Sequence, residues 1–459
     1  MLGKILKNIS RISRPWLYCL ICLVIALGIV LTQTHGLKSQ ASSASEEVTD
    51  TKAELVDLGQ FSDMVAHLES KWENDYEGYF TRDFSHQSRS VKEIAEHLQA
   101  IKEQANISPA VIWAVPKDDF LQLMLVTPER EFVVKKIRGA NKERLTKRIK
   151  ELTTAISDRE SLNYYPPARL IYNWLFKPLE SYLEAENIDT LLLCTGPKLR
   201  SLPFAALHDG EKFMVEKYNL ALIPAFSLTD TSYEAAPPQQ VLAMGTSKFE
   251  NLPELPGVEI ELETIVPKLW SGRKITDQDF TVANLLDNHQ REGFDIIHIA
   301  SHSEFTAGSP DRSFIQFSDR RLSLTQINEL NLKLPPVDLL VLSACQTAIG
   351  DEDAEFGFAG LAMQAGVKSA LASLWLIDDV GTVLLMGDFY QQLKSTPIKS
   401  SALRQAQVNL LQGQIFVKED QIQGLDVEVD LKEIIPADQK FDFTHPYYWA
   451  GFTLIGNPW

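Results

Sequence analysis

Residues 295–305 read "DIIHIASHSEF" and residues 338–350 read "DLLVLSACQTAIG". Each opens on an aspartate, runs through an apolar stretch and ends among small residues carrying one reactive side chain, His302 in the first and Cys345 in the second. A short apolar run bounded by polar residues reads as a strand buried on both faces, the kind that builds parallel sheets. In open sheets of that kind ligands sit beyond the carboxyl ends of the strands. His302 and Cys345 stand at those ends. Neighbouring strands lie about 5 Å apart, so adjacent placement lets the two side chains meet across a substrate carbonyl. An imidazole beside a thiol takes its proton or holds it as thiolate, which makes the pair a candidate base and nucleophile.

The same rhythm extends on either side. "TLLLC" (190–194), "QVLAMG" (240–245) and "SALASLW" (369–375) are further apolar strands, separated by helical stretches such as "GVEIELETIVPKLW" (257–270) and "FGFAGLAMQAG" (356–366). Strands alternating with helices imply an α/β fold with a mostly parallel sheet covered on both faces. Two other reactive residues have plainer readings. His298 lies four residues before His302, about 13 Å back along the strand, and reads as a core histidine. Cys194 ends a strand with no paired histidine motif and reads as a small buried hydrophobe. The acidic run "DEDAEFG" (351–357) reads as a solvated loop.

Upstream the pattern changes. In "FSDMVAHLESKW" (61–72) apolar residues recur at three- and four-residue steps, and "SVKEIAEHLQAIKEQ" (90–104) repeats this with Ser90 placed as an N-cap. "AVIWAV", "LQLMLVTP" and "EFVVKKI" then read as short strands, followed by the charged helix "NKERLTKRIKELTTAI". Residues 57–160 therefore form a smaller helical/α+β region, and residues 161–459 the main domain. Residues 35–56 are rich in Ser, Thr, Glu and Gln and read as a flexible linker. Within 1–34, Lys4, Lys7, Arg11 and Arg14 precede the apolar run Trp16–Leu31, the layout of an export signal or a short membrane anchor.

Composition narrows the function. A net charge of −17 argues against nucleic-acid binding, which needs a basic surface. Of four cysteines, Cys19 and Cys22 lie in the apolar run, so Cys194 and Cys345 make no disulfide framework. Outside that run no CxxC pair or His/Cys cluster has metal-site spacing, and neither a metal nor a cofactor is expected.

Six segments, in this order, carry a family likeness: "IIHIASHSEF", "LTQINELNL", "LLVLSACQTAIGD", "GFAGLAMQAGVKSALASLWLIDD", "LMGDFYQQL" and "HPYYWAGFTLIGNP". They closely resemble the CHAT domain, a caspase-like branch of cysteine peptidases related to separase. "YNWLFKPLESYL" and "LRSLPFAALHDGEKFMVEKYNLALIPAFSL" resemble its front half, so the likeness spans about Tyr165–Pro458. It implies a caspase-like doubly wound sheet, with His302 and Cys345 as the catalytic pair. It also implies that the backbone N–H groups of Ser303 and Cys345 stabilise the oxyanion. The family has glycine directly after the histidine; here it is Ser303, which keeps the N–H but not glycine's conformational freedom. "SLWLIDDVGT" resembles the separase stretch whose acidic residue receives a basic substrate side chain, which points to Asp379, with Asp378 as the alternative. The helical repeats that often flank the domain are missing, so a regulatory partner stays unknown.

The expected function is a cysteine endopeptidase acting on a protein or peptide, exported or attached to a membrane through residues 16–31. The alternatives are a catalytically weak signalling or protein-interaction module, and a non-proteolytic hydrolase or acyltransferase using the same pair. Export predicts that protease added outside an intact cytoplasmic membrane digests the body of the chain, and recovery in the cytosolic fraction would overturn it.

Overall fold

The computed structural model describes residues 51–53, 57–84, 88–234, 240–349, 351–435 and 441–459. The expected export signal or anchor at 1–34, and most of the linker expected at 35–56, lie outside these residues. Among the described residues no helix is long and apolar enough to cross a membrane.

The chain from Thr51 onward forms one compact unit around a 14-stranded mixed sheet. Its first part holds β1 (Thr51–Ala53), β2 (Pro109–Pro116), β3 (Leu121–Val126) and β4 (Phe132–Ile137). Next come β5 (Thr190–Thr195), β6 (Asn219–Ile223), β7 (Val241–Gly245) and β8 (Gly272–Thr276). The site-bearing part has β9 (Ile296–Phe305), β10 (Phe314–Gln316), β11 (Arg321–Ser323), β12 (Leu339–Thr347) and β13 (Ser369–Ser373). A separate two-stranded hairpin, β14 (Phe416–Lys418) and β15 (Gln421–Gln423), occupies the acidic stretch before β16 (Phe452–Gly456). The strand order is β1-β4-β3-β2-β5-β6-β16-β13-β12-β9-β10-β11, with β7 and β8 branching from β9.

The N-terminal strands are part of the same sheet. β2 pairs in parallel with β5 along six residues, from Pro109 opposite Thr190 to Ala114 opposite Thr195. The boundary expected near residue 160, where the pattern of elements changes, is crossed by one set of hydrogen bonds. Thr51–Ala53, within the expected linker, form β1, which pairs antiparallel with β4.

Helices cover the sheet. α1 (Leu58–Phe80) and α2 (Val91–Ala105) precede it, and Ser90 caps α2 as its sequence predicts. The Ser90 hydroxyl accepts from the Glu93 N–H at 3.3 Å, and the Glu93 carboxylate accepts from the Ser90 N–H at 2.7 Å. Further on lie α3 (Lys142–Ser157), α4 (Tyr165–Leu175), α5 (Gly257–Glu263), α6 (Val282–Glu292), α7 (Glu352–Ala359), α8 (Asp379–Ser395) and α9 (Lys399–Leu411). The acidic run after Cys345 is α7, not a solvated loop. Asp351 caps it, accepting from the Asp353 and Ala354 N–H groups. Its Glu355 is fully buried, accepting from the Lys198 N–H at 2.8 Å and the Ser201 hydroxyl at 2.7 Å. Acidic residues fit there because a helix N-terminus favours negative charge.

The two aspartates that open the site strands are anchors. The Asp338 N–H donates to the Asp295 carbonyl at 2.8 Å, which sets the starting register of β12 against β9. The Asp338 carboxylate is held by the buried Lys399 ammonium, at 3.0 Å from both oxygens. The Asp295 carboxylate accepts from the Gln240 N–H at 3.1 Å, tying β9 to the start of β7. At the other end of β7, Gly245 faces Ala300 of β9, and a Cβ there would lie 2.3 Å from the Ala300 carbonyl oxygen. We expect Gly245→Ala to destabilise the fold by about 1–3 kcal/mol, the usual range for overpacking, read as a lowered denaturant midpoint. An unchanged midpoint would show that the two strands separate freely.

Candidate functional site

β9 and β12 are parallel neighbours, so His302 and Cys345 reach the same rim of the sheet. Their side chains do not meet. From Leu339 to Leu342 each residue of β12 pairs with the β9 residue 43 positions earlier, ending with Leu342 opposite Ile299. Beyond a bulge the offset is 42, with Ala344 opposite His302 and Cys345 opposite Ser303. Paired residues project to one face of the sheet and consecutive residues to opposite faces. The imidazole therefore leaves with Ala344 and the thiol with Ser303, on the other side. Unbroken pairing would have set Cys345 opposite His302, three steps on from Leu342 and Ile299. A one-residue shift reverses faces, and that is what separates the expected proton-sharing pair here.

The bulge has a local cause. Below it β9 pairs with β7, the last pair being Gly245 with Ala300. Above it β9 takes β10 as antiparallel partner, with Ser303 opposite Ile315. Ser301 sits at the change of partner, and its hydroxyl donates to the Gln316 carbonyl of β10.

The two faces differ in environment. Ser303, Phe305, Cys345 and Thr347 are all buried, and the Phe305 ring packs on Phe358 of α7 with centroids 5.6 Å apart. The Cys345 thiol donates to the Leu342 carbonyl at 3.2 Å. Burial pushes it up to about 12, against weaker opposition from the Ser373 backbone and the Ser303 hydroxyl. Ser303 lies within the extended strand, so its φ does not demand glycine, and its side chain packs beside the thiol. The N–H groups of Ser303 and Cys345, expected to bind an oxyanion, belong here to two continuous strands.

His302 is half-buried on the opposite face. Its Nε2 is 2.8 Å from the Pro253 carbonyl, and its ring meets Phe249 edge-on at 4.8 Å, both on the loop between β7 and α5. A shallow cleft opens next to it, lined by Leu255, Gly257, Glu261, Ala344, Ile377 and Asp379 among others. Asp379 accepts from the Gly257 N–H at 2.7 Å. Burial pushes its carboxyl up, opposed first by that N–H and, more weakly, by the charge of His302. Asp378 is the N-cap of α8, accepting from the Gly381 N–H at 2.9 Å, and its other oxygen takes the Arg159 guanidinium at 2.7 Å. The two aspartates thus divide the work: Asp379 faces the cleft and Asp378 holds an arginine beside it.

His298 is the core histidine its position indicates. It is fully buried, with Nδ1 3.1 Å from the Tyr390 hydroxyl and Nε2 3.1 Å from the Glu261 carboxylate. Glu261 also accepts from the Ser343 hydroxyl at 3.2 Å, so one carboxylate links core and cleft. Cys194 is buried, its thiol pushed well up by desolvation. Among the described residues no group of three or more His, Cys, Asp or Glu side chains is placed to hold a metal. The residues that sequence reasoning passed over are Phe249, Pro253, Glu261 and Arg159. They come from loops and a helix far apart in the chain and carry no motif.

A wide sheet with a histidine strand and a cysteine strand side by side at its rim defines the caspase-like class of fold. Separase in the separase–securin complex of Saccharomyces cerevisiae shares it, with a TM-score of 0.50 and 9% identity over 87% of this chain and 34% of that one. The Arg-specific cysteine proteinase gingipain R is more distant, with a TM-score of 0.38 and 12% identity over 66% of this chain and 69% of that one. Residues 165–457 match the CHAT domain, and the chain belongs to that family. Tetratricopeptide repeat protein 28 of Mus musculus is 24% identical over 374 residues, 67% of this chain and 14% of the relative's length.

Burial and a raised pKa predict an unreactive thiol. At pH 8 iodoacetamide should alkylate Cys345 in the native chain at least ~100-fold more slowly than in urea, as read by peptide mass spectrometry. Equal rates in the two states would mean that the thiol is exposed in solution.

Proposed function

We propose that the chain is a cysteine peptidase held latent by the bulge between Ile299 and His302, with Cys345 as nucleophile and His302 as general base once the bulge is lost. The observation that carries this reading is the register of β9 on β12: one residue of slip sets the two side chains opposite each other on one face. In that register His302 takes the thiol proton as sulfur adds to the scissile carbonyl. The proton then passes to the departing amine, and water hydrolyses the thioester to free the acid and restore the thiol. The cleft beside Ala344 and Asp379 would receive the substrate, a protein or peptide with a basic residue before the cut. Export or N-terminal tethering through residues 16–31, with the catalytic part outside the cytoplasm, belongs to the same proposal.

A second reading, a protein-interaction module with little turnover, is favoured by the buried thiol and by the Ser303 side chain filling space beside it. An acyloxymethyl ketone on an arginine-terminated peptide separates the two. We expect slow covalent labelling of the full chain, absent in Cys345→Ala and faster on deletion of Ala344, which makes Cys345 the residue opposite His302. Labelling that persists in Cys345→Ala, or no labelling of an Ala344-deleted chain with a cooperative melt, would favour the interaction module.

A further inference from the structure

Arg159 lies in the exposed segment between α3 and α4, yet its guanidinium is tucked into the main body. One nitrogen donates to the Asp378 carboxylate at 2.7 Å and another to the Tyr447 hydroxyl at 2.9 Å. The group lies over the Tyr447 ring, 4.2 Å from its centroid, and 5.6 Å from that of Tyr448. A carboxylate at one edge and aromatic faces around the plane are what a guanidinium needs, through charge-assisted hydrogen bonding and cation–π attraction. The receptor is itself braced. The Tyr447 hydroxyl donates to the Leu376 carbonyl at 2.9 Å, and the Tyr447 carbonyl accepts from the Trp375 indole N–H at 2.9 Å. The segment carrying Arg159 is clipped a second time, where His445 Nε2 lies 3.0 Å from the Ser161 carbonyl.

Position makes this more than a surface ion pair. Asp378 follows Leu376 and Ile377 and precedes Asp379, all of which line the cleft next to Ala344. We propose that Asp378, Tyr447 and Tyr448 form the receptor for an arginine side chain of an incoming peptide, and that the chain's own Arg159 occupies it as an internal competitor. The inference rests on reading the cleft as a peptide site, though not on turnover. It also reassigns the aspartate: Asp378 binds the basic group, while Asp379 braces the Gly257 turn. A ligand must displace Arg159 before it binds, so its apparent affinity falls with the fraction of receptor left open.

The test uses full chains carrying Cys345→Ala, so that turnover plays no part, with agmatine as a bare guanidinium probe followed by calorimetry. Arg159→Ala should bind agmatine at least ~10-fold more tightly than its parent, and adding Asp378→Asn should abolish the gain. Arg159→Gln, which keeps a polar side chain but removes the charge and the guanidinium, should behave as Arg159→Ala if the latter melts early. Equal affinity in parent and Arg159 variants of unchanged melting temperature overturns the inference, as does a gain that survives Asp378→Asn. Tighter agmatine binding in the Arg159 variants, with no ketone labelling of the Ala344-deleted Cys345 chain, would defeat the peptidase reading and leave the receptor standing. Cleavage after arginine with no Arg159 effect would do the reverse.

Discussion

The parallel pairing of β9 with β12 is the contact on which the site depends. It is fixed at its start by the Asp338 N–H on the Asp295 carbonyl, and it is bordered on either side by β13 and β7. Four residue pairs then run in one register before the bulge shortens the offset. Nothing about the apolar content of either strand chooses between the two registers near the rim, because Ser301, Ser303, Ser343 and Ala344 are all small. The choice falls to the neighbours. β7 holds β9 up to Ala300, and β10 captures it from Ser303 on. A strand that must satisfy two partners of opposite direction absorbs the mismatch as an extra residue.

Much of the fold was legible in the sequence because its strands are uniformly apolar and their ends are sharply marked. The runs at 190–194, 240–245 and 369–375 are strands in the structure, and Ser90 caps its helix. Two things escaped. The N-terminal strands read as a separate small region because the strand–helix rhythm changes there, whereas the hydrogen bonding of β2 to β5 runs straight across that change. The acidic run after Cys345 read as solvated because charges usually are, yet Glu355 is buried against two donors that lie 157 and 154 residues back in the chain and sits beside a buried Arg200 that stacks on Phe356. At the site, the strands and their shared rim followed from pattern, but the facing of the two side chains did not. Facing depends on a single residue of register, and no periodicity argument fixes a bulge between residues of equal size.

On the proposed reading, the site is closed twice by unrelated means. The thiol is turned under α7, where burial keeps its proton in place. Separately, the guanidinium of Arg159 fills the acidic and aromatic receptor beside the cleft. Each closure uses residues the other does not touch, so relief of one leaves the other intact. Such a chain would respond to a partner that moves β10, or to a ligand that outcompetes Arg159, and fully only to both. The relative from Mus musculus is far longer than this chain, which spans 14% of it.

The shared sheet has a practical meaning for anyone trimming the protein. The family match begins at residue 165, but a polypeptide cut there would lose β2 and leave the flank of β5 bare. Leu191, Leu192 and Leu193 lie within that strand and are buried in the intact chain. A raw, greasy edge of unpaired amides invites another copy to zip onto it. Residues 57–160 are therefore a fitted cover for the family-matched part, and a fragment without them should be handled as a self-sticking one.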